Sequence, residues 1–319
     1  MGRFEKKVRG NGRTFRLKVE TSDRAEDYAK YEALRIAVWG FPDDRLPGYR
    51  NMMCENFLFD GSSLFLAAYA EDPSGRIVED QDHLAGFSYG FVGIRDKTAG
   101  YRSPENLWFY SQYTGVLPAF HGHNIGVSLK EFQKEILVDV FGVTTVTCTF
   151  DPLTGVNAAR NIHHFGMEVL EYRAATYGEY GGFLNRLDVP TDRFFMIWDL
   201  MKAARRPRRN WARLLGARRE VLDVERWLVQ GRSGPLGFET VRASRLGLDG
   251  RCLLVRIPSD FYLMLRETDV EDPSVRRIPL EWRMRTREAF QTLLGRGYRI
   301  VDFGTVPGLP PANYYLCAR

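Results

Sequence analysis

The sequence is poor in the residues and runs that would place it among disulfide-bonded, zinc-binding or membrane proteins. It has only four cysteines, with no CxxC spacing, and five histidines, with no HExxH spacing. Dispersed cysteines of this kind predict reduced core thiols, and the histidines predict no metal site. No segment approaches about 18 consecutive apolar residues, and the basic N-terminal stretch lacks the apolar core of a signal peptide. We therefore expect a cytoplasmic protein that neither binds a metal nor contacts a membrane.

The charge of the chain is only mildly unbalanced, at a formal +5 over 319 residues. A small anionic ligand explains this excess as well as a nucleic acid does. The arginines concentrate between residues 202 and 219, where Trp211 is the only aromatic residue. A basic stretch with one aromatic side chain favours a solvated linker or helix face, so we expect no nucleic-acid partner.

Apolar spacing over residues 1–200 predicts a mixed α/β domain with the element order β-α-β-β-β-α-β-α-β. The predicted strands are 15–19, 64–69, 83–92, 106–116, 143–150 and 167–177. Residues 201–250 are predicted to be an Arg-rich linker and a weakly patterned segment. Residues 251–319 are predicted to be a smaller C-terminal α+β extension, with a helix over 279–294 and strands at 251–257, 298–303 and 314–317. The expected domain boundaries thus lie at 200 and 250.

The most informative segment lies where the fourth predicted strand gives way to a helix, at residues 116–129. Gly122 and Gly126 lack a Cβ, which lets an anion approach the main chain closely. A strand-to-helix turn of small residues presents backbone N–H groups and the positive end of a helix dipole, which together hold a pyrophosphate. The segment predicts a site for such a ligand, and a glycine-containing turn without a ligand is the alternative.

Two motifs in this part of the chain resemble those of the GNAT superfamily of acyl-CoA-dependent acyltransferases. The first joins a Val-x-Pro step to Gln/Arg-x-x-Gly-x-Gly/Ala. Its positions are occupied here by Val116, Pro118, His121, Asn124 and Gly126. The second is a helix with a leading Asn157 and a closing Gly166.

The chain more specifically resembles a subgroup of predicted GNAT acetyltransferases, and this resemblance extends over most of its length. The subgroup has a Ser in the fourth strand, a Leu-Lys step in the next helix and a Thr-Phe-Asp-Pro-Leu turn. The matching residues are Ser111, Leu129, Lys130 and the segment 149–153, with further matches at 177–178, 282–287 and 297–303. The least matched part is 202–250.

The resemblance implies that acetyl-CoA or another acyl-CoA binds at the turn as the co-substrate of a direct acyl transfer. It also implies splayed strands, with the strand that ends at Val116 diverging from the strand near Phe150 so that pantetheine reaches main-chain groups. The residues implied in cofactor binding are Val116, Leu117, His121, Gly122, His123, Asn124, Ile125, Gly126, Val127 and Asn157.

The chain departs from the family pattern at three positions. His121 stands where Gln or Arg is usual, and Asn124 stands where Gly is usual. Asn is the non-glycine residue that best tolerates a left-handed φ, so we expect Asn124 to keep the turn. Ile162 stands where many members carry a Tyr that protonates the leaving thiolate, so another group or water must serve.

Three side chains are candidates for the missing chemistry. Tyr177 is the substitute acid, with a core tyrosine whose hydroxyl reaches the rim as its alternative. Asp151 would bind an amine or accept its proton, or else it closes a structural turn. Gln112 would orient the acyl carbonyl or the acceptor, and strand alternation places it on the face of Thr114 and opposite Ser111.

The sequence therefore predicts an acyltransferase for a small-molecule acceptor, which we expect to be an amine. The C-terminal segment is expected to shape the acceptor pocket or a homodimer interface. Because Ile162 supplies no proton donor, two alternatives stay open. One is a CoA-binding sensor or scaffold that transfers nothing, and the other is different thioester chemistry such as decarboxylation of an acyl-CoA.

Overall fold

A computed structural model gives the fold of the protein and describes residues 3–40, 49–178, 181–203, 209–217, 219–308 and 310–319. The chain divides into two compact units: Met1–Cys148 with Asp199–Lys202, and Thr149–Trp198 with Ala203–Arg319. This division reflects the contacts within each unit, whereas the domain boundaries expected at 200 and 250 rest on changes in composition. Those two boundaries stay a prediction. No helix in the described part of the chain is both long and apolar enough to cross a membrane.

Six strands of the first unit lie side by side in chain order. They are β1 (Glu5–Gly10), β2 (Arg13–Val19), β3 (Ser63–Ala70), β4 (Leu84–Ile94), β5 (Leu107–Val116) and β6 (Thr145–Phe150), of which the last two residues count with the second unit. Neighbours pair antiparallel from β1 to β5, and β5 pairs parallel with β6. Parallel and antiparallel pairs in one sheet, with helices packed on it, confirm the mixed α/β class.

Among these six strands, β1 is the one that the sequence analysis does not predict. Its residues, EKKVRG, are mostly polar and only the last is buried, so the apolar alternation that marks β2 is absent. Asn11 and Gly12 connect β1 to β2 with φ values of 46° and 78°. Two consecutive positive φ values are the backbone of a tight hairpin turn, which an Asn-Gly pair favours.

The described part of the first unit has three α-helices: α1 (Ala29–Trp39), α2 (Tyr49–Glu55) and α3 (Ile125–Ile136). Helix α3 buries Leu129, Phe132 and Ile136, as its apolar spacing predicts, and continues as a π-type turn that ends at Gly142 with a φ of 67°. Helix α1 packs Tyr31 and Leu34 into the core of the unit, whereas Ile36 is exposed.

The strands in the described part of the second unit fall into three groups. Strands β7 (Glu168–Arg173) and β8 (Arg193–Asp199) pair antiparallel, and β9 (Leu222–Gly231) and β10 (Gly234–Ser244) form a hairpin. Strand β13 (Ala312–Ala318) lies between β11 (Cys252–Ile257) and β12 (Arg299–Val306) in an antiparallel sheet. The helices are α4 (Gly155–Ala158), which continues as a π-type turn over Ala159–His164, α5 (Trp211–Gly216), α6 (Phe261–Glu267), α7 (Pro273–Arg276) and α8 (Ile278–Gly295). Helix α8 with the β11–β13 sheet confirms the C-terminal α+β segment.

The segment expected to be a linker and weakly patterned, 201–250, contains the β9–β10 hairpin. Strand β9 exposes four consecutive residues, 225–228, and Trp227 next to Leu228 breaks the apolar alternation. The strand therefore has no readable period. Of the basic stretch, residues 204–208 and 218 lie outside the described residues. The remainder includes α5, whose Trp211 ring fills the space that a side chain at position 304 would need.

Candidate functional site

Strand β5 has an edge that its parallel neighbour leaves largely open. Its antiparallel pairing with β4 runs the full length of the strand, from Leu107 to Val116. Its parallel pairing with β6 is confined to Phe109 and Tyr110. The two strands diverge beyond Tyr110, as predicted, and residues 111–116 present main-chain donors and acceptors that lie outside the β5–β6 ladder.

A β-bulge interrupts β5 at the start of this open edge. The register with β4 shifts between Ser111 and Tyr113, which leaves Gln112 as the extra residue. The Gln112 side chain is exposed, and its role toward an acyl carbonyl stays a prediction. The expectation that Ser111 and Thr114 lie on opposite faces is wrong, because the bulge shifts the alternation and both hydroxyls join one polar network.

Between β5 and α3 the chain makes a compact turn with two residues in the left-handed backbone region. Gly122 has a φ of 80° and Asn124 a φ of 59°. Position 122 requires glycine for its backbone rather than for space, since an added Cβ would find only Asn11 Nδ2, at 3.7 Å. Asn124 adopts the left-handed conformation that the sequence analysis expected of it.

The histidines of the turn fold back onto its own backbone. His121 Nε2 lies 3.0 Å from the Val116 carbonyl oxygen, and His123 Nδ1 lies 3.2 Å from that of Phe120. The Leu117 N–H donates to the carbonyl of residue 85 at 2.9 Å. Val116 thus uses part of its hydrogen-bonding capacity within the turn and Leu117 part of its own on β4, and their contacts with a cofactor stay a prediction.

The start of α3 supplies main-chain donors. The first N–H groups of any α-helix lack an acceptor within the helix, and the Asn124 side chain caps none of them. Within the described ranges, the N–H groups of Gly122, Ile125 and Gly126 have no main-chain acceptor. No acidic residue lies between positions 117 and 128. This donor set, next to the positive end of the α3 dipole, fits a pyrophosphate.

The hairpin turn between β1 and β2 braces this loop. Asn11 Nδ2 donates to the carbonyl oxygen of Gly122. Gly10 passes so close to His123 that an added Cβ would lie 1.9 Å from its carbonyl oxygen. Sequence reasoning missed these supporting residues, and the Asn11–Gly12 pair is the one local signal that would have found them.

In the second unit, Asp151 lies just beyond β6 and is engaged in a buried ion pair. Its carboxylate, 7% exposed, accepts from both terminal nitrogens of Arg283, which is 1% exposed. Arg193 Nη1 lies 3.6 Å from the same carboxylate, and Asp151 Oδ1 also accepts from the Leu153 N–H at 2.9 Å. These contacts favour the structural-turn alternative, and an acid–base role for Asp151 stays a prediction.

Tyr177 presents its hydroxyl at the surface of the second unit. The residue is 45% exposed, and its hydroxyl oxygen lies 2.7 Å from Thr149 Oγ1. The Arg193 guanidinium lies 5.1 Å from the centre of its ring. A phenol in this setting can donate a proton to a group that approaches it. Thr149 and Arg193 are partners that the sequence analysis did not identify.

Two further predicted positions, 157 and 162, lie in α4 and in the π-type turn that follows it. Asn157 Nδ2 donates to Thr154 Oγ1 at 3.1 Å, and its Oδ1 accepts from Arg160 at 2.9 Å. Asn157 therefore helps to order the start of α4, and its contact with a cofactor stays a prediction. Ile162 is buried and offers no proton donor.

No protein-family model and no curated protein matches the sequence. The chain is similar in fold to solved acetyltransferases. Arabidopsis thaliana NAA60 in complex with a bisubstrate analogue is 13% identical, with 57% of this chain and 97% of that one covered and a TM-score of 0.42. The ribosomal-protein-S18-alanine N-acetyltransferase from Escherichia coli is 12% identical, with 61% and 99% covered and a TM-score of 0.39. The ribosomal-protein-S5-alanine acetyltransferase from Vibrio fischeri is 9% identical, with 59% and 94% covered and a TM-score of 0.42.

Proposed function

We propose that the protein is an acyltransferase that moves an acetyl or other small acyl group from acyl-CoA to an amine by direct attack on the thioester. One observation carries the proposal. The open edge of β5 runs directly into a turn whose N–H groups at Gly122, Ile125 and Gly126 lack main-chain acceptors. CoA requires both parts, because its pantetheine amides pair with a strand edge and its pyrophosphate needs clustered N–H donors. The resemblance of the motifs to the GNAT superfamily supports the same conclusion.

The roles of the chain's residues follow from the bonds that change. The neutral amine nitrogen attacks the thioester carbonyl carbon, a C–N bond forms and the C–S bond breaks. The nitrogen loses one proton to water, and the leaving thiolate takes up one proton. Main-chain N–H groups on the open edge of β5 stabilise the negative charge that develops on the carbonyl oxygen. Gln112, the exposed bulge residue, orients that carbonyl. Tyr177 is the candidate proton donor, because position 162 offers none and the Tyr177 residue is 45% exposed.

The binding half of the proposal is tested by Gly122→Val. Valine at a φ of 80° costs about 1–3 kcal/mol of backbone strain, which the turn relieves by moving its N–H groups. We expect acetyl-CoA and CoA to bind at least about tenfold more weakly by titration calorimetry. Gly75→Val is the matched control, since Gly75 has a φ of 81° and open space around an added Cβ. Wild-type affinity in Gly122→Val would place the ligand elsewhere, and no binding of either ligand to the wild type would end the proposal.

The transfer half is tested by thiol release from acetyl-CoA in the presence of pooled amines. Release that depends on an amine, with the acylated amine identified by mass spectrometry, is the expected result. Tight CoA binding without turnover would instead favour the sensor or scaffold, the alternative that buried Ile162 motivates.

A further inference from the structure

A chain of buried polar side chains runs from α3 into the sheet of the first unit. Lys130 is 3% exposed, and its Nζ donates to the Ser111 hydroxyl, in a residue that is 5% exposed. The same Nζ lies 3.5 Å from Gln133 Oε1, and Gln133 Nε2 donates to Ser88 Oγ at 3.2 Å. Burying an amine and an amide at this depth is costly unless they are hydrogen-bonded, so each contact restrains its partner.

This chain of side chains ends on the backbone of β5. Ser88 Oγ donates to the Tyr113 carbonyl oxygen at 3.2 Å. Ser111 and Tyr113 are the two residues that flank the bulge residue Gln112. Lys130, Gln133 and Ser88 therefore hold β5 on both sides of the bulge, with Ser111 as one point of attachment on the strand. We name these four residues the Lys130 clamp.

We propose that Lys130 is a positioning residue for acyl transfer, which acts through the Lys130 clamp to fix the β5 bulge. The inference rests on the proposed function. A bulge residue has no partner in the ladder, and β6 does not pair with β5 at this point, so the strand pairing alone restrains the bulge weakly. The clamp adds that restraint from the α3 side and keeps Gln112 and the neighbouring N–H groups aimed at the thioester carbonyl.

The sequence analysis singled out Ser111 and the Leu129–Lys130 step as separate features. They lie 19 residues apart on different elements, and the structure joins them through a hydrogen bond. Helix α3 then has two tasks, since its first turn carries the phosphate-binding N–H groups and Lys130 reaches the bulge. A substitution at Lys130 should affect the second task and spare the first.

The experiment compares Lys130→Met, Lys130→Arg and Ser111→Ala with Lys134→Met, a control on the same helix outside the clamp. Because a misplacement of about 1 Å at a reacting centre costs about 100-fold in rate, we expect kcat for thiol release to fall about 10- to 100-fold in Lys130→Met. The KM for acetyl-CoA and the calorimetric affinity for CoA should stay at the wild-type values. Lys130→Arg keeps a donor and should recover part of kcat, and Lys134→Met should match the wild type.

Hydrogen exchange gives a second readout that needs no acceptor. The amides of residues 112 and 113 should exchange faster than in the wild type in Lys130→Met and in Ser111→Ala, which removes only a hydroxyl. In Lys134→Met they should exchange at the wild-type rate. Unaltered exchange in folded Lys130→Met and Ser111→Ala, or a wild-type kcat in Lys130→Met, would overturn the proposal. A fall of kcat, CoA affinity and thermal stability together would make Lys130 a structural residue only. If wild-type protein binds no CoA, the proposed function fails, whereas the exchange data still report whether Lys130 holds the bulge.

Discussion

Replacing Asp151 by Asn separates the two roles that the sequence allows for this residue. Asp151 and Arg283 are both buried, and both terminal nitrogens of the arginine donate to the carboxylate. Burial works against the charge of Arg283, yet the attraction of Asp151 raises the pKa of the guanidinium above its ordinary value. Breaking such a pair costs about 3–5 kcal/mol, because the remaining charge stays buried without its partner.

We therefore expect Asp151→Asn to lower the free energy of unfolding by about 3 kcal/mol or more. Asparagine keeps an oxygen for the Leu153 N–H, so the loss reports on the ion pair rather than on the turn. The measurement is urea unfolding followed by circular dichroism at pH 7. Arg285→Met is the control on the same helix, since Arg285 is half-exposed and lies 3.9 Å from Glu288, and it should change stability by less than about 0.5 kcal/mol.

The double variant Asp151→Asn with Arg283→Met completes the test. If the two residues act as a pair, its loss of stability should be smaller than the two single losses added together. A loss below about 1 kcal/mol in Asp151→Asn, combined with abolished turnover, would refute the structural reading and favour an acid–base role.

Two further outcomes are expected. Tyr177→Phe should lower kcat about 10²- to 10⁴-fold with CoA affinity unchanged, as for loss of a general acid, and an unaltered kcat would exclude Tyr177 as the proton donor. Burial opposes the charge of Asp192, but hydrogen bonds from Arg287 and Tyr172 lower its pKa. Its carboxylate therefore stabilises the fold above the unfolded pKa of about 3.9 and loses this effect as the pH falls through the folded pKa. Asp192→Asn should therefore have a lower free energy of unfolding than the wild type at pH 7. In urea unfolding this difference should shrink as the pH falls below about 4, and a difference that stays constant would contradict the prediction.

Most of the strands that the sequence predicts bury a continuous or alternating apolar face, although β8 also buries one and is not predicted. Strand β3 is buried along its whole length, and residues 64–69 are apolar throughout. Strands β1 and β9 are missed for the opposite reason. Their residues are largely polar or exposed, and they form because a neighbouring strand and a tight turn offer hydrogen bonds, which leaves no period in the sequence.

The bulge at Gln112 shows why a site residue is harder to predict than the strand that carries it. Alternation along one strand assumes an unbroken ladder, and one extra residue reverses the faces of everything that follows. Whether a residue is extra depends on the register of β4 against β5, which one strand's residues do not encode. The sequence therefore predicts β5 correctly but places Ser111 and Thr114 on opposite faces, whereas they share one face in the structure.

Partners distant in sequence decide what the candidate residues can do. Local motifs predict that the turn at 116–126 binds an anion, because φ tolerance and N–H supply are properties of adjacent residues. Asp151 forms its ion pair with Arg283, which lies 132 residues away, and nothing in the sequence near Asp151 predicts that pair. In the proposed function, position 162 offers no proton donor, so binding and proton transfer are assigned to different residues. A variant of the turn should then change affinity, a variant of Lys130 or Tyr177 should change kcat, and measuring both for each variant distinguishes a transferase from a protein that only binds CoA.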